Sequence, residues 1–332
     1  MSKPIVWIAK EPPQQRYQSV LHKNNICIST NAKDWDLYIP HYGTTMSKEM
    51  EAITEAEGKY VMGIAGCASF TRRKDVWVNI VKLYGREAAC DIMPETFMLN
   101  YDADIDLMLK LYSQLPLILK SKFHKRNGLK IVDDALEAVK IKADYEIAQQ
   151  LKNDLYKISD TAFNLRSYIL LTIENQVLKS YIYYDANCIY AIPNSTDVSL
   201  EKKFITNSLN PVLKGNPALM TDFCTQENID YGNLLLKLGN KVNLILNASA
   251  HKLGKMENLF DSICFQVFGL DVLIDKNGDP IICEINKGPG MDAKNKSSET
   301  LKNQMLNDVL SIVGLRDDDN IGFVKTLELK LK

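Results

Sequence analysis

Histidine is scarce in this 332-residue chain, with four residues against 40 Lys+Arg and 41 Asp+Glu. Cysteine occurs seven times, at positions 27, 67, 90, 188, 224, 264 and 283, but in odd number and without a C-x-x-C pair. A disulfide framework and a structural zinc site are therefore not expected, and a reducing, cytoplasmic setting fits the pattern. No run of about 18 apolar residues occurs. The opening MSKPIVWIAKEPPQQ meets Pro4, Lys10 and Pro12 before an apolar stretch develops, so neither a membrane span nor a signal peptide is expected. Internal repeats and low-complexity tracts are also missing, which removes solenoids, propellers and disordered scaffolds. The formal net charge of -1 supplies no global field for nucleic acid or a membrane surface. Neither is expected as a partner, and any charged ligand must be recognised by a local patch.

What is present is an ordinary globular balance, 46% hydrophobic and 24% charged. A chain of this length exceeds one core and suggests two or three lobes burying roughly 75% of the unfolded surface. Trp7, Trp35 and Trp77 all fall in the first quarter and read as core residues. Pro4 to Ala9 and Trp35 to Ile39 read as short strands of a small α/β lobe. Thr71 is placed to cap a helix from Arg72 to Tyr84, with Val76, Ile80, Leu83 and Tyr84 on one face and Gly85 ending it. Leu115 to Lys120 reads as a buried strand, KSKFHKRNGLK as a basic loop, and Ile131-Val132 as the returning strand. Ala143 to Leu151 is ambiguous. Phe163 to Thr172 and Leu178 to Ile192 suit antiparallel strands, whereas Tyr231 to Phe268 carries helical spacing and precedes a strand pair. The order of elements is α+β rather than a regular βαβ alternation.

The densest chemistry lies in FGLDVLIDKNGDPIICEINKGPG, residues 268–290. Asn277-Gly278 signals a two-residue hairpin turn, since both residues tolerate positive φ. That turn predicts a register in which Lys276 faces Asp279, Asp275 faces Pro280 and Asp271 faces Glu284. Alternation then puts Glu284 and Asn286 on one face, beside Asp271 across the ladder. Two opposed carboxylates repel unless a cation intervenes, and a hard oxygen-preferring ion such as Mg2+ suits the set. The spacing of a calcium-binding EF-hand loop is absent. A solvated polar hairpin face would be the alternative reading of the same residues.

This segment resembles the metal-binding end of the tubulin-tyrosine ligase-like branch of the ATP-grasp ligases, whose approximate pattern is F-G-x-D, a hairpin, then E-x-N-x-x-P. It reads here as Phe268, Gly269, Asp271, Glu284, Asn286 and Pro289. The resemblance continues in FNLRSYILLT (family F-D-I-R-x-Y-x-L), FITNSLN (family L-T-N) and FTRRKDVWVNIVKLYGREAACDIMPETFMLN (family T-R-K-D with a later P-x-T-F), covering roughly residues 60 to 292. It implies an ATP-grasp fold with nucleotide held between a central and a C-terminal lobe beside a small α/β N-terminal lobe, with lobes at 1–64, 65–142 and 143–332. It also implies ATP and Mg2+ as cofactors. Asp271, Glu284 and Asn286 would be the metal ligands, Glu284 and Arg166 the catalytic pair, and Lys120 the lysine that reaches phosphate. Gly128 and Lys130 would belong to the phosphate loop, Gln149, Gln150, Leu151 and Lys152 to the hinge beside adenine, and Thr206 and Asn207 to the cleft wall.

The implied activity joins an amino acid to a protein or peptide carboxylate, with tubulin among the acceptors, through an acyl phosphate. Lys120, Lys122, His124, Lys125, Arg126 and Lys130 could form a basic rim for an acidic tail, although phosphate binding explains the same charges. There are departures from the family pattern. The loop glycine pair G-x-G-I becomes Gly128, Leu129, Lys130, Ile131, the lysine before F-D-I-R becomes Ala162, and the arginine near the end of the following strand falls at Ile189. They leave two other readings open: a nucleotide-binding pseudoenzyme acting as an interaction module, and a ligase for a small non-protein acceptor.

Overall fold

The structure is a computed structural model that describes all residues except 1–4, 8–12, 30–34, 41–50, 52, 54–56, 122–127, 192–213, 255, 294, 320 and 332; at 5–7 it describes the backbone alone. The first part of the chain runs β1 (Ile5–Trp7), α1 (Gln15–Lys23), β2 (Cys27–Ser29), β3 (Leu37–Tyr38) and β4 (Tyr60–Met62). There follow α2 (Ala68–Thr71), α3 (Arg73–Tyr84), α4 (Arg86–Ile92), β5 (Thr96–Met98), α5 (Asp102–Leu111), β6 (Leu117–Lys120), β7 (Leu129–Val132), α6 (Ala135–Lys140) and β8 (Ile147–Gln150). The remainder is β9 (Lys157–Ile158), β10 (Thr161–Glu174), β11 (Val177–Tyr183), β12 (Asn187–Tyr190), α7 (Met220–Gln226), α8 (Tyr231–Ser249), β13 (Ile263–Ile274), β14 (Pro280–Asn286), α9 (Lys296–Ile312) and β15 (Phe323–Lys330).

These elements make two sheets in a mixed α+β fold. The larger runs β15-β11-β10-β13-β4-β3-β1-β2, with β9 and β12 also pairing with β10 and β14 with β13. Its long central strands β10 and β13 are antiparallel, while β4 joins β13 in parallel and carries the N-terminal strands with it. The smaller sheet, β5-β8-β6-β7, is antiparallel throughout. It packs with α5 and α6 around its own core, including Phe97, Met108, Leu117, Leu119, Ala135 and Ala148. Because β8 ends at Gln150, this sheet extends beyond the lobe end expected at 142, and β1 to β4 continue the larger sheet instead of forming one of their own.

Strand β10 is covered on both faces, which explains its nearly unbroken apolar run. Leu165, Ile169, Leu171 and Ile173 pack with residues of α3 and α8, whereas Tyr168 and Leu170 pack with residues of α1 and α9. The alternation follows from the two-residue period of a strand. The same double coverage misleads helical periodicity: α8 stops at Ser249 and β13 already begins at Ile263, so the helical spacing expected up to Phe268 overruns into a buried strand. A continuous apolar run fits either state. Trp35 and Trp77 are buried as expected, but Leu83 on α3 is 54% exposed. Thr71 is not the cap of α3; its hydroxyl donates to the Cys67 carbonyl within α2, and α3 begins at Arg73 without a side-chain cap. Gly85 ends that helix at φ +84°. Among the described residues no helix is long and apolar enough to cross a membrane, and no disulfide joins any of the seven cysteines.

The β13–β14 hairpin departs from its expected register at the turn. Ile274, not Asp275, faces Pro280, and Asp275 is drawn into the turn, where its carbonyl accepts from Gly278 N and its side chain from Asn277 N and Asp279 N. Only Gly278, at φ +82°, is left-handed. This is a three-residue loop with glycine in the bulge position, favoured by the aspartate that caps the turn. A second irregularity between Asp271 and Val272 leaves Cys283 as the extra residue and restores the expected pairing of Asp271 with Glu284. Two-residue turns with both residues at positive φ are found instead at Ser159-Asp160, between β9 and β10, and at Asn175-Gln176, between β10 and β11.

Gly269 is required by close approach. A Cβ there would lie 2.9 Å from Pro289 Cβ and 3.4 Å from Arg166 Cδ. Gly269→Ala is expected to lower the unfolding free energy by about 1–3 kcal/mol, the usual cost of overpacking, as read from urea denaturation.

Candidate nucleotide and metal site

One rung of the larger sheet gathers the charge. Arg166 on β10 lies opposite Asp271 on β13, and Asp271 lies opposite Glu284 on β14. Arg166 grips Asp271 with a fork, Nε to Oδ1 at 2.7 Å and Nη2 to Oδ2 at 3.1 Å. Such paired, charge-assisted contacts fix orientation as well as supplying energy. Asn286 Nδ2 donates to Asp271 Oδ2 at 3.1 Å, and Asn164 Nδ2 to Oδ1 at 3.2 Å. Glu284 is held from outside the sheet by Arg73, the first residue of α3, with Nε and Nη2 at 3.1 and 2.7 Å from the same oxygen, Oε2.

The smaller sheet forms the opposite wall of a cavity of about 200 Å³. Lys120, at the end of β6, is only 6% exposed and donates to Gln149 Oε1 at 2.7 Å. Gln149 Nε2 donates to Thr96 Oγ1, which in turn donates to the Pro94 carbonyl, both at 2.9 Å. This relay across β6, β8 and β5 fixes the lysine rotamer. Burial pulls the Lys120 pKa down, with the positive charge of Arg73 also lowering it and Glu284 and Asp271 acting against the shift. For Arg166 burial works against the charge, but Asp271 outweighs it and the pKa rises. Burial pushes Cys283 up to about 12, against the pull of Lys120, so its thiol is no nucleophile near neutrality.

Of the residues singled out in the sequence, Lys120, Gln149, Gln150, Leu151, Lys152, Arg166, Asp271 and Glu284 line the cavity, and Asn286 stands behind Asp271. Gly128 accepts a backbone hydrogen bond from Ser121 at the mouth of the β6–β7 hairpin, and Lys130 on β7 pairs with Leu119 on β6. Neither is among the lining residues; Leu129 is. Thr206, Asn207 and the basic loop residues 122–127 lie outside the described residues. Ile189, at a position where a cation was expected, presents an apolar lining instead. Sequence reasoning missed Arg73, Asn164, Thr96 and Cys283. Arg73 and Asn164 lay within the TRRKD and FNLR stretches, and that was the available signal.

The donor set fits a hard cation. Asp271, Glu284 and Asn286 carry side-chain oxygens, and Asn164, which lines the cavity, has a buried Oδ1 with no hydrogen-bond partner. An orphaned buried carbonyl oxygen is costly unless an ion, water or ligand hydroxyl meets it. Among the described residues no three His, Cys, Asp or Glu side chains form a complete cage. Two carboxylates and amides instead suit an ion that completes its shell with water and phosphate oxygens.

Two sheets facing each other over a cation-lined cleft, one bearing opposed carboxylates and the other a buried lysine, are consistent with an ATP-grasp-like fold. The profile of the Tubulin-tyrosine ligase family matches residues 64–321, and the chain belongs to that family. Tubulin monoglutamylase TTLL4 of Mus musculus is 21% identical over 309 residues, covering 84% of this chain and 25% of the relative. The probable tubulin polyglutamylase TTLL2 of Mus musculus is 22% identical over 351 residues (96% and 63%). The probable alpha-tubulin polyglutamylase Ttll1 of Tetrahymena thermophila is 26% identical over 236 residues (63% and 53%). The chain thus spans about a quarter of the length of the monoglutamylase and between half and two thirds of the other two relatives.

Behind the rung, Lys302 on α9 donates to the carbonyls of Gly290 and Asp292, at 3.2 and 2.6 Å, and Arg16 Nε donates to Met291 O at 2.6 Å. These contacts hold the segment that follows the β13–β14 hairpin. Burial, helped by the nearby Arg166 and Arg16 charges, lowers the Lys302 pKa from 10.5 to about 8. The unfolded chain therefore binds more protons between those pH values, and stability rises with pH across that window. Between pH 7 and pH 9 the wild type is expected to gain about 1 kcal/mol relative to Lys302→Met in paired urea denaturation curves.

Proposed function

We propose that the chain is an ATP- and Mg2+-dependent carboxylate–amine ligase, forming an amide between an amino acid and a protein or peptide carboxylate through an acyl phosphate. The observation that carries this reading is the Arg166–Asp271–Glu284 rung facing buried Lys120 across one cleft. Asp271, Glu284 and Asn286 would hold the magnesium ion, which when bound neutralises charge developing on the transferred phosphoryl group. Lys120, held by Gln149, would point its ammonium at the polyphosphate, and Gly128, Lys130, Thr206 and Asn207 would border the same ligand. Arg166, a planar cationic fork, would face the phosphate or the activated carboxylate. The amides of Gln150 and Leu151 donate to the Glu95 and Pro116 carbonyls, so the adenine contact of this hinge falls to Lys152 and to carbonyl groups.

Named relatives are tubulin monoglutamylases and polyglutamylases, which makes glutamate the first amino acid to test and acidic tubulin tails the first acceptors, in a cytoplasmic setting. Mass spectrometry of tail peptides after incubation with ATP, Mg2+ and glutamate should show addition of a glutamyl residue. One observation favours a second reading. Ile189 lines the cavity, and Ala162 is the second residue of β10, where the family pattern places cations. Nucleotide binding without turnover of any amino acid and acceptor pair would establish a nucleotide-binding interaction module in place of the ligase. Glu284→Gln is expected to leave the circular dichroism spectrum unchanged and to lower Mg2+-dependent ATP consumption by more than about tenfold; full activity in that variant would remove Glu284 from the site.

A further inference from the structure

Each carboxylate of the rung has its own guanidinium, and the two are held differently. Arg166 is fixed on a central strand, engages both oxygens of Asp271 and packs beside Gly269 and Pro289. Arg73 opens a helix and meets one oxygen of Glu284. Both side chains of the Arg73–Glu284 pair are only 15% exposed, so water screens it little. The flanking cations are placed elsewhere, since Arg72 is exposed and the Lys74 ammonium sits 5.7 Å from the centre of the Tyr101 ring. On the facing wall Lys120 and Lys152 add positive charge. A bare divalent cation approaching Asp271 and Glu284 therefore meets an excess of cations among the described side chains. A nucleotide polyphosphate reverses that balance and offers Arg73 an alternative partner.

We infer that Arg73 makes metal entry depend on the nucleotide, holding Glu284 while the cleft carries no phosphate and turning to the phosphates when they arrive. Arg73 is then a positioning residue for the metal ligand, a role that rests on the proposed reading of the cleft. Leaving Glu284 breaks contacts to one oxygen only, whereas Arg166 would have to abandon a two-oxygen fork. Each guanidinium donates two hydrogen bonds, but those of Arg73 share a single acceptor oxygen, which makes it the one to exchange partners.

The test uses Mn2+ alone as probe, with unbound ion followed by electron paramagnetic resonance, on the wild-type chain, Arg73→Met and Arg73→Lys. Arg73→Met is expected to bind Mn2+ at least about tenfold more tightly than wild type, since a cation adjacent to the ion is removed. Arg73→Lys keeps the charge and should stay near wild type. A residue that merely supports the fold would change affinity in the opposite direction in both variants. Wild-type binding as tight as that of Arg73→Met, or weaker binding in the variant, would overturn the inference. Should Arg73→Met fail to fold by circular dichroism, Arg73→Gln supplies the neutral arm, and tight retention of nucleotide-free Mn2+ by the wild type alone would also overturn it. A fluorescent ATP analogue with Mn2+ separates the two levels: failure of the wild type to bind it sinks the ligase reading, whereas binding with no difference in Mn2+ affinity between wild type and Arg73→Met sinks only the role of Arg73.

Discussion

Opposing two carboxylates across neighbouring strands is unfavourable unless something answers their charge, and most of the cleft is arranged around that constraint. Asp271 and Glu284 face each other on β13 and β14. The protein answers Asp271 within the sheet, from the next strand, and Glu284 from a helix more than 200 residues earlier in the chain. The second answer couples α3 to the hairpin. Gly269, Pro289 and the Lys302 and Arg16 contacts then keep the end of the hairpin and its sequel where the rung needs them. A fault in any of these would be felt first as misplaced charge.

The hairpin also shows how far the sequence could be read. Asp271 does face Glu284, but two compensating departures from a simple hairpin lie between them and the turn. The turn is a three-residue loop, displaced from the simple Asn-Gly form because Asp275 accepts two backbone N–H groups. The bulge at Cys283 then restores the register. Neither event leaves a clear periodic signal, since one depends on a side chain folding back and the other on an unpaired residue within an apolar run. Lys120 was legible as the end of a buried strand before a basic loop. Its link through Gln149 to Thr96 was not, because three strands from different parts of the chain must come together before the relay exists. Likewise α8 was legible, but its continuation into β13 was not, because a strand buried on both faces loses the alternation that distinguishes it.

The two walls of the cleft differ in how they are built. The smaller sheet has its own core and contributes a buried ammonium, fixed by neutral partners that leave its charge uncancelled. The larger contributes carboxylates whose charge is cancelled nearby. A ligand held between such walls would meet them unequally: one side offers a cation to an anion, and the other would have to exchange internal ion pairs for external ones. The near-zero net charge of the whole chain conceals this local imbalance.

The parallel pairing of β4 with β13 has a consequence for assembly. Tyr60 to Met62 find their partners at Ile263 to Phe265, so one edge of β4 waits for a segment made some 200 residues later. The smaller sheet, closed between Thr96 and Gln150 with short-range pairings and a separate core, can form in the interval. Contacts this distant in sequence close slowly, because loop entropy must be overcome before they contribute. On the ribosome the edge of β4 that will meet β13 therefore stays unpaired until that segment is synthesised, a period in which an exposed strand edge favours aggregation and chaperone capture.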